Sequence, residues 1–180
     1  MRTHGPWTIL SSRLIHRDPW VALTLDDVVR PDGKPGTFTT IAVKPSVSVL
    51  ALDDAGNVHL TEEFRYAVGH PSIEVVSGGI EPGEDELSAG RRELAEELGI
   101  VAAEWIDLGR TEPISSIVHL PTRLWLARGL TFGAHQREGT EQIRAVTMPL
   151  AEAVDAVMSS RITHGASATL ILKAARWLRV

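Results

Sequence analysis

The chain has no cysteine among its 180 residues. That excludes a disulfide framework, a zinc-thiolate site and a thiol nucleophile, and it fits a reducing compartment. No run of about eighteen apolar residues is present to cross a bilayer. Met1 to Leu10 lacks the apolar core of a secretory leader, so a cytoplasmic protein with no membrane partner is expected. An excess of positive charge is missing too: 18 Lys and Arg stand against 23 Asp and Glu, a formal net charge of −5. A protein that grips nucleic acid by its phosphates needs the opposite balance, so no nucleic-acid partner is expected, and an enzyme that removes RNA caps is disfavoured for want of a basic groove. Small phosphates remain open, because a bound metal can supply positive charge locally. Internal repeats and low-complexity tracts are absent. The 7 histidines occur singly, without the pair spacing that zinc sites use. Ser115 and Ser116 lie near His119, but no Gly-x-Ser-x-Gly elbow frames them.

What is there describes an ordinary globular chain, 43% hydrophobic and 23% charged, of a length that suits one domain with a real core. Partial alternation over Trp7 to Ile15 and Trp20 to Val29, a turn at Arg30-Pro-Asp-Gly33 and a β-rich run from Thr37 to Val43 predict an N-terminal antiparallel sheet. Val47 to Leu52 is almost continuously apolar, and Asp53-Asp-Ala-Gly-Asn57 turns it into Val58 to Glu63, a hairpin. A short strand is expected at Ile73 to Val76, with others around Trp105 to Arg110, Thr122 to Ala127 and Ile143 to Met148. Helical spacing marks Leu150 to Ser159 and Ala166 to Leu178. The fold class is therefore α/β: a mixed sheet flanked by helices, an α/β/α sandwich preceded by an N-terminal antiparallel β-sheet.

The most informative stretch runs from Gly78 to Ile100, a glycine turn feeding a helix that begins near Glu84 or Asp85 and stops at Gly99. At about 100° per residue, Glu93, Glu96 and Glu97 share one sector, while Leu87, Leu94 and Leu98 fall away from it. Like charges at that spacing repel, so the stripe calls for a cation. Oxygen-only ligands suit a hard divalent ion, Mg²⁺ or Mn²⁺. Arg92, one turn before Glu96, is better placed to hold the carboxylates than to touch a substrate.

Gly78, five residues, Glu84, seven residues and Arg92-Glu93-Leu94-x-Glu96-Glu97-x-Gly99-Ile100 match the Nudix box at every specified position. The chain resembles the Nudix hydrolases, and more narrowly their ADP-ribose and nucleoside-diphosphate-sugar pyrophosphatase branch. The narrower likeness rests on Val28-Val-Arg-Pro-Asp-Gly33, Thr61-Glu-Glu-Phe-Arg65, Glu74-Val-Val-Ser-Gly78, Pro113, Glu138-Gly-Thr-Glu141 and Ile162-Thr-His-Gly-Ala-Ser167, in that order. It divides the chain into an N-terminal sheet over residues 1–45, expected to form a homodimer, and a hydrolase domain over residues 46–180. It implies that Glu93 and Glu97 are metal ligands, that Glu96 is a further or water-mediated one, and that the Ser77 carbonyl completes the site. Glu84 either meets an outer metal or orients the loop. A general base is implied on a late loop, Glu141 ahead of Glu138. Arg65 is the expected phosphate contact, or else an ion-pair partner of Glu62, Glu63 or Glu74. Glu74 binds a ribose or holds Arg65. Trp20 stacks on a nucleobase or sits in the core, the second being preferred.

The implied reaction is hydrolysis of a pyrophosphate bond in a nucleoside diphosphate joined to another moiety. ADP-ribose, giving AMP and ribose 5-phosphate, is the favoured substrate. ADP-glucose, GDP-mannose and dinucleotides are the rivals, and a non-catalytic nucleotide sensor is the reading from another class. Three positions depart from the branch pattern. Thr111-Glu-Pro113-Ile stands where Ser-Pro-Gly is usual, Ser77 replaces an alanine, and Glu63 replaces the glutamine of Gln-Phe-Arg.

Overall fold

The computed structural model describes residues 1–134 and 142–180, so Glu138 and Glu141 lie outside the described residues. The chain forms two compact units, Met1–Pro45 with Glu112–Leu120, and Ser46–Thr111 with Pro121–Val180.

The first unit is one five-stranded sheet. Its strands are β1 (Arg2–His4), β2 (Trp7–Arg17), β3 (Val21–Val29), β4 (Pro35–Val43) and β10 (Val118–His119), in the order β1-β2-β3-β4-β10. The alternation in the sequence gives β2, β3 and β4 as expected, β1, not expected from the sequence, adds antiparallel to β2, and β3 pairs with β4 from Val21↔Val43 to Val29↔Pro35. Gly33, at φ 80°, makes the turn between them, a conformation that side chains resist. β10 is parallel to β4 and carries only two residues, too few to leave a periodic signature. One expectation is corrected here. Trp20 is 64% exposed, not core, because Asp18 caps the β2–β3 turn: its Oδ1 accepts the Trp20 and Val21 amides at 2.8 Å, and the indole projects from that turn. Lys44 Nζ sits 5.4 Å from its ring.

The second unit carries the order β12-β6-β5-β11-β9, built from β5 (Ser46–Leu52), β6 (Asn57–Arg65), β9 (Ile100–Thr111), β11 (Thr122–Phe132) and β12 (Arg144–Pro149). β5 and β6 pair only at Ala51↔His59 and Leu52↔Val58. They then splay, so that β7 (His70–Glu74) adds to β6 and β8 (Val76–Gly79) adds to β5. β11 runs parallel to β5 and antiparallel to β9, which makes the sheet mixed. Its two faces explain the continuous apolar run in β5. Leu50 and Leu52 join Leu124, Leu126, Leu170 and Ile171 in one core, and Val49 and Ala51 join Val76, Leu94 and Ile100 in another. A strand buried on both faces has no polar alternate. Helices α2 (Leu150–Met158) and α3 (Gly165–Leu178) supply Ala153, Ala156, Leu170 and Ile171 to the first core, and α1 (Glu86–Leu98) supplies Leu94 to the second. No helix among the described residues is long and apolar enough to cross a membrane.

Candidate active site

Helix α1 is punctuated as its sequence requires. Asp85 caps it, with Oδ1 accepting the Leu87 and Ser88 amides at 3.0 and 2.9 Å, a cap worth about 1 kcal/mol. Gly99 ends it in the left-handed region at φ 65°. The helix lies close against the sheet at Gly90, where an added Cβ would press within 3.3 Å of Trp105 and Val49. Glu97 lies two turns along the same stripe, so its side chain is carried inward: the residue is only 7% exposed. Glu93 has a side chain 13% exposed, and Glu96 faces outward at 42%.

Arg92 organises this stripe. Its Nε and Nη2 donate to the two oxygens of Glu84, both at 2.9 Å, Nη1 donates to Glu93 at 2.7 Å and to Glu96 at 3.2 Å, and Nη2 also donates to the Gly79 carbonyl at 2.9 Å. A planar guanidinium with five N–H donors can satisfy this set, whereas a single ammonium cannot. The contacts raise the Arg92 pKa further, Glu84 contributing most, and the same bond holds the Glu84 carboxyl below its usual range. Glu84 Oε2 also accepts the Glu81 amide at 3.0 Å. Glu84 therefore clasps the glycine loop to α1 through Arg92.

The first glycine of the box has a steric reason. A Cβ built on Gly78 would fall inside the Glu93 carboxylate, so only glycine lets that acid lie against the β8 backbone. Because the obstructed atoms are the far end of a flexible side chain, Gly78→Ala is expected to fold with a Tm within a few degrees of the parent and to displace Glu93. Turnover in the presence of a divalent cation should fall on the order of tenfold to a hundredfold. Unchanged turnover would mean that Glu93 need not occupy this position.

The residues fit a hard cation by their donor chemistry. Glu93 and Glu97 are carboxylates held in low exposure, and the Ser77 hydroxyl is engaged with Ser48 Oγ at 2.8 Å and the Val75 carbonyl at 3.2 Å. Among the described residues no three His, Cys, Asp or Glu side chains are grouped closely enough to hold a metal by themselves. An ion that keeps its waters and shares its shell with substrate phosphates needs only one or two carboxylates from the protein.

On β6 and β7, Arg65 and Glu74 form a bidentate pair, Nε to Oε1 at 3.1 Å and Nη2 to Oε2 at 2.8 Å, while Nη1 donates to Glu63 at 2.7 Å. Glu62 is not a partner of Arg65; it pairs with Arg144 at 2.6 Å. Burial opposes the Arg65 charge, but Glu74, Glu63 and the more distant Glu97 outweigh it and hold the guanidinium cationic. The glutamate that stands for the usual glutamine thus adds a second anchor to Arg65. Glu74 is 5% exposed and holds Arg65.

His164 is the residue that sequence reasoning gave no role. Its Nδ1 lies 2.8 Å from Ser167 Oγ and 3.3 Å from Glu74 Oε2, and Ser167 Oγ accepts the Val75 amide at 3.0 Å. The motif containing it was visible, but its partner is ninety positions upstream. Burial keeps the imidazole below its ordinary 6.5, Glu74 opposing and Arg65 assisting. Burial works to raise Glu74, but Arg65 and His164 win and keep it below 4.5. Both groups bind fewer protons folded than unfolded, so stability is complete above pH 6.5 and falls as pH drops through the folded pKa of His164, then again below 4.5 as Glu74 protonates. Urea midpoints measured against pH should show the upper phase, and His164→Gln should remove it. An identical slope in that variant would assign the phase elsewhere.

Comparison with known proteins shows the family. Residues 7–41 match the nucleoside diphosphate sugar hydrolase N-terminal domain, and residues 42–161 match the NUDIX domain. The chain is similar to the ADP-ribose pyrophosphatase of Mycobacterium tuberculosis, 28% identical over 86% of this chain and 76% of that one. It is also similar to the ADP-ribose pyrophosphatase of Bacillus subtilis, 27% identical over 84% and 83%. A crystal structure of an ADP compounds hydrolase superposes with a TM-score of 0.84 over 99% of this chain and 97% of that chain, at 19% identity, and so shares its fold. With a complete box seated on α1 and more than half its length matching the family, the chain belongs to the NUDIX family.

Proposed function

We propose that the chain is an ADP-ribose pyrophosphatase that works with Mg²⁺ or Mn²⁺. The observation that carries this reading is the stripe of Glu93, Glu96 and Glu97, gripped by Arg92 on a helix whose buried acid, Glu97, is felt by Arg65. The names of the two bacterial relatives and of the crystal structure favour an ADP-containing substrate. Water adds across the P–O–P bridge: one P–O bond forms, the bridging P–O bond breaks, and AMP and ribose 5-phosphate leave. Glu93, Glu97 and the Ser77 carbonyl would hold the cation, with Glu96 in support. When bound, such a cation neutralises diphosphate charge and brings the pKa of a coordinated water toward neutrality. Arg65, kept cationic and oriented by Glu74 and Glu63, offers its remaining N–H groups to a phosphate. Glu141, ahead of Glu138, receives the proton of the attacking water.

The N-terminal unit supports a homodimer. Leu10, Leu14 and Ile15 are each about half exposed on β2, and Trp20 stands out from the adjoining turn, a set of large apolar side chains that a partner surface would cover. The match of residues 7–41 to a nucleoside diphosphate sugar hydrolase domain keeps ADP-glucose and GDP-mannose in view as second substrates.

The test is a panel of ADP-ribose, ADP-glucose, GDP-mannose and a diadenosine polyphosphate, assayed with Mg²⁺, with Mn²⁺ and with chelator. ADP-ribose is expected to give the highest kcat/KM and to be silent under chelation. A higher value for a sugar nucleotide would reassign the substrate, and no turnover of any member would favour a sensor. Glu141→Gln is expected to lower kcat on the order of 10² to 10⁴ with KM little changed; the reverse pattern points to Glu138 or to no loop base.

A further inference from the structure

Within the N-terminal unit, one face of the sheet lines a half-open cavity of about 800 Å³, within the range of small-molecule sites. Its floor follows from strand register: Ile9 lies opposite Val28, and Asp26 opposite Phe38, with Trp7 set edge-on to Phe38 at 5.3 Å between centroids. This floor is apolar and aromatic except at Asp26, while Arg2, His4, Glu112, Ser115, Ser116 and His119 bring polar groups to the rest of the lining. Asp26 is 7% exposed, and its Oδ1 is buried with no hydrogen-bond partner among the described residues. The residue next to it, Asp27, has the opposite fate: it points outward and accepts from Ser11 Oγ at 2.6 Å.

A buried acceptor without a donor costs on the order of 1–3 kcal/mol, and more when the group is ionised. A sheet face that could have carried a threonine or valine there would avoid that cost. Terminal rotation of an aspartate side chain is broad, so either oxygen can turn to meet a donor presented from the cavity. The charge balance of the lining has a sign. With the histidines neutral, Arg2 and Glu112 cancel and Asp26 leaves one negative charge in excess. Aromatic walls add attraction for a cation over their faces.

We propose that this cavity is a binding site for a small organic cation, an apolar ring system bearing a protonated amine, with the amine paired to Asp26 and the rings against Trp7, Phe38, Ile9 and Val28. Its lining residues all belong to the N-terminal unit. Nothing in it depends on which nucleotide the chain hydrolyses.

Tryptamine and tryptophol test this directly, since they share an indole and a two-carbon arm and differ in ammonium against hydroxyl. Calorimetry on the full chain is expected to give tryptamine at least about tenfold tighter than tryptophol. Asp26→Asn, which removes an unpaired buried charge and should fold, is expected to bring that ratio close to one. Thr40→Phe, which narrows the cavity from β4 and leaves the Asp26 carboxylate in place, is expected to weaken both ligands. Equal affinities in the parent, or a preference that survives Asp26→Asn, would overturn the proposal. Competition of AMP with tryptamine would overturn it in favour of a subsite for nucleotide. Self-association that excludes tryptamine as protein concentration rises would overturn it in favour of a subunit contact.

Discussion

Glu97→Gln is expected to lower kcat/KM for the best substrate on the order of 10³ at saturating divalent cation, about 4 kcal/mol of transition-state stabilisation, with the fold intact. Glu97 is 7% exposed on a helix face that otherwise packs Gly90 and Leu94 onto the sheet. A carboxylate in that position is costly to bury. The expected loss rests on the proposed role of Glu97 as a cation ligand. Glutamine keeps the shape and removes the charge, which separates ligation from packing. Its Tm should stay within a few degrees of the parent, because no large cavity opens and the desolvation of an ion is relieved. The measurement is a titration of activity with Mg²⁺ for both proteins beside their thermal transitions. Rates within a few-fold of the parent at every metal concentration would remove Glu97 from the ligand set. A collapse of the transition would show instead that its role is structural.

Much of this arrangement was legible before any coordinates, and the reason is locality. A helix start near Glu84 or Asp85, Gly99 as terminator and the (i, i+3) and (i, i+4) spacing of the acids act within one helix, so the sequence prints them directly. The alternation in β2 to β4 and the apolar run in β5 work the same way, each strand reporting how many of its faces are buried. What escaped was set by contacts between distant segments. β10 exists because two residues meet β4 from seventy-odd positions away. The hairpin of β5 and β6 was visible, but not its splaying, which is imposed by β7 and β8. Arg92 to Glu96 could be anticipated from helical geometry, whereas the stronger clasp on Glu84 runs through a loop whose path no spacing rule gives. Trp20 was misjudged because hydrophobicity argues for burial, while Asp18 fixes a turn that turns the ring outward.

Arg92→Lys should be damaging although it keeps the charge. The guanidinium makes two bonds to Glu84, one each to Glu93 and Glu96, and one to the Gly79 carbonyl. Lysine offers three donors from one point and cannot span Glu84 on the loop and Glu93 on the helix together. Exposure tempers the loss: Arg92 and Glu84 are 29% and 15% exposed, but Glu96 is 42% exposed, and its share is small. A destabilisation of about 2–3 kcal/mol is expected, a fall in Tm of about 5–10 °C for a chain of this size. Because the glycine loop and Glu93 lose their common anchor, kcat/KM should fall on the order of 10² as well. The two effects can be told apart by adding Mg²⁺. A cation on the stripe relieves the repulsion that Arg92 normally offsets, so its addition should raise the Tm of the variant more than that of the parent. A double-mutant cycle with Glu84→Gln then reads the clasp itself: if Arg92 acts through Glu84, the two losses in Tm are far from additive. Additive losses, or a lysine variant as stable and active as the parent, would mean that the stripe is held by something other than Arg92.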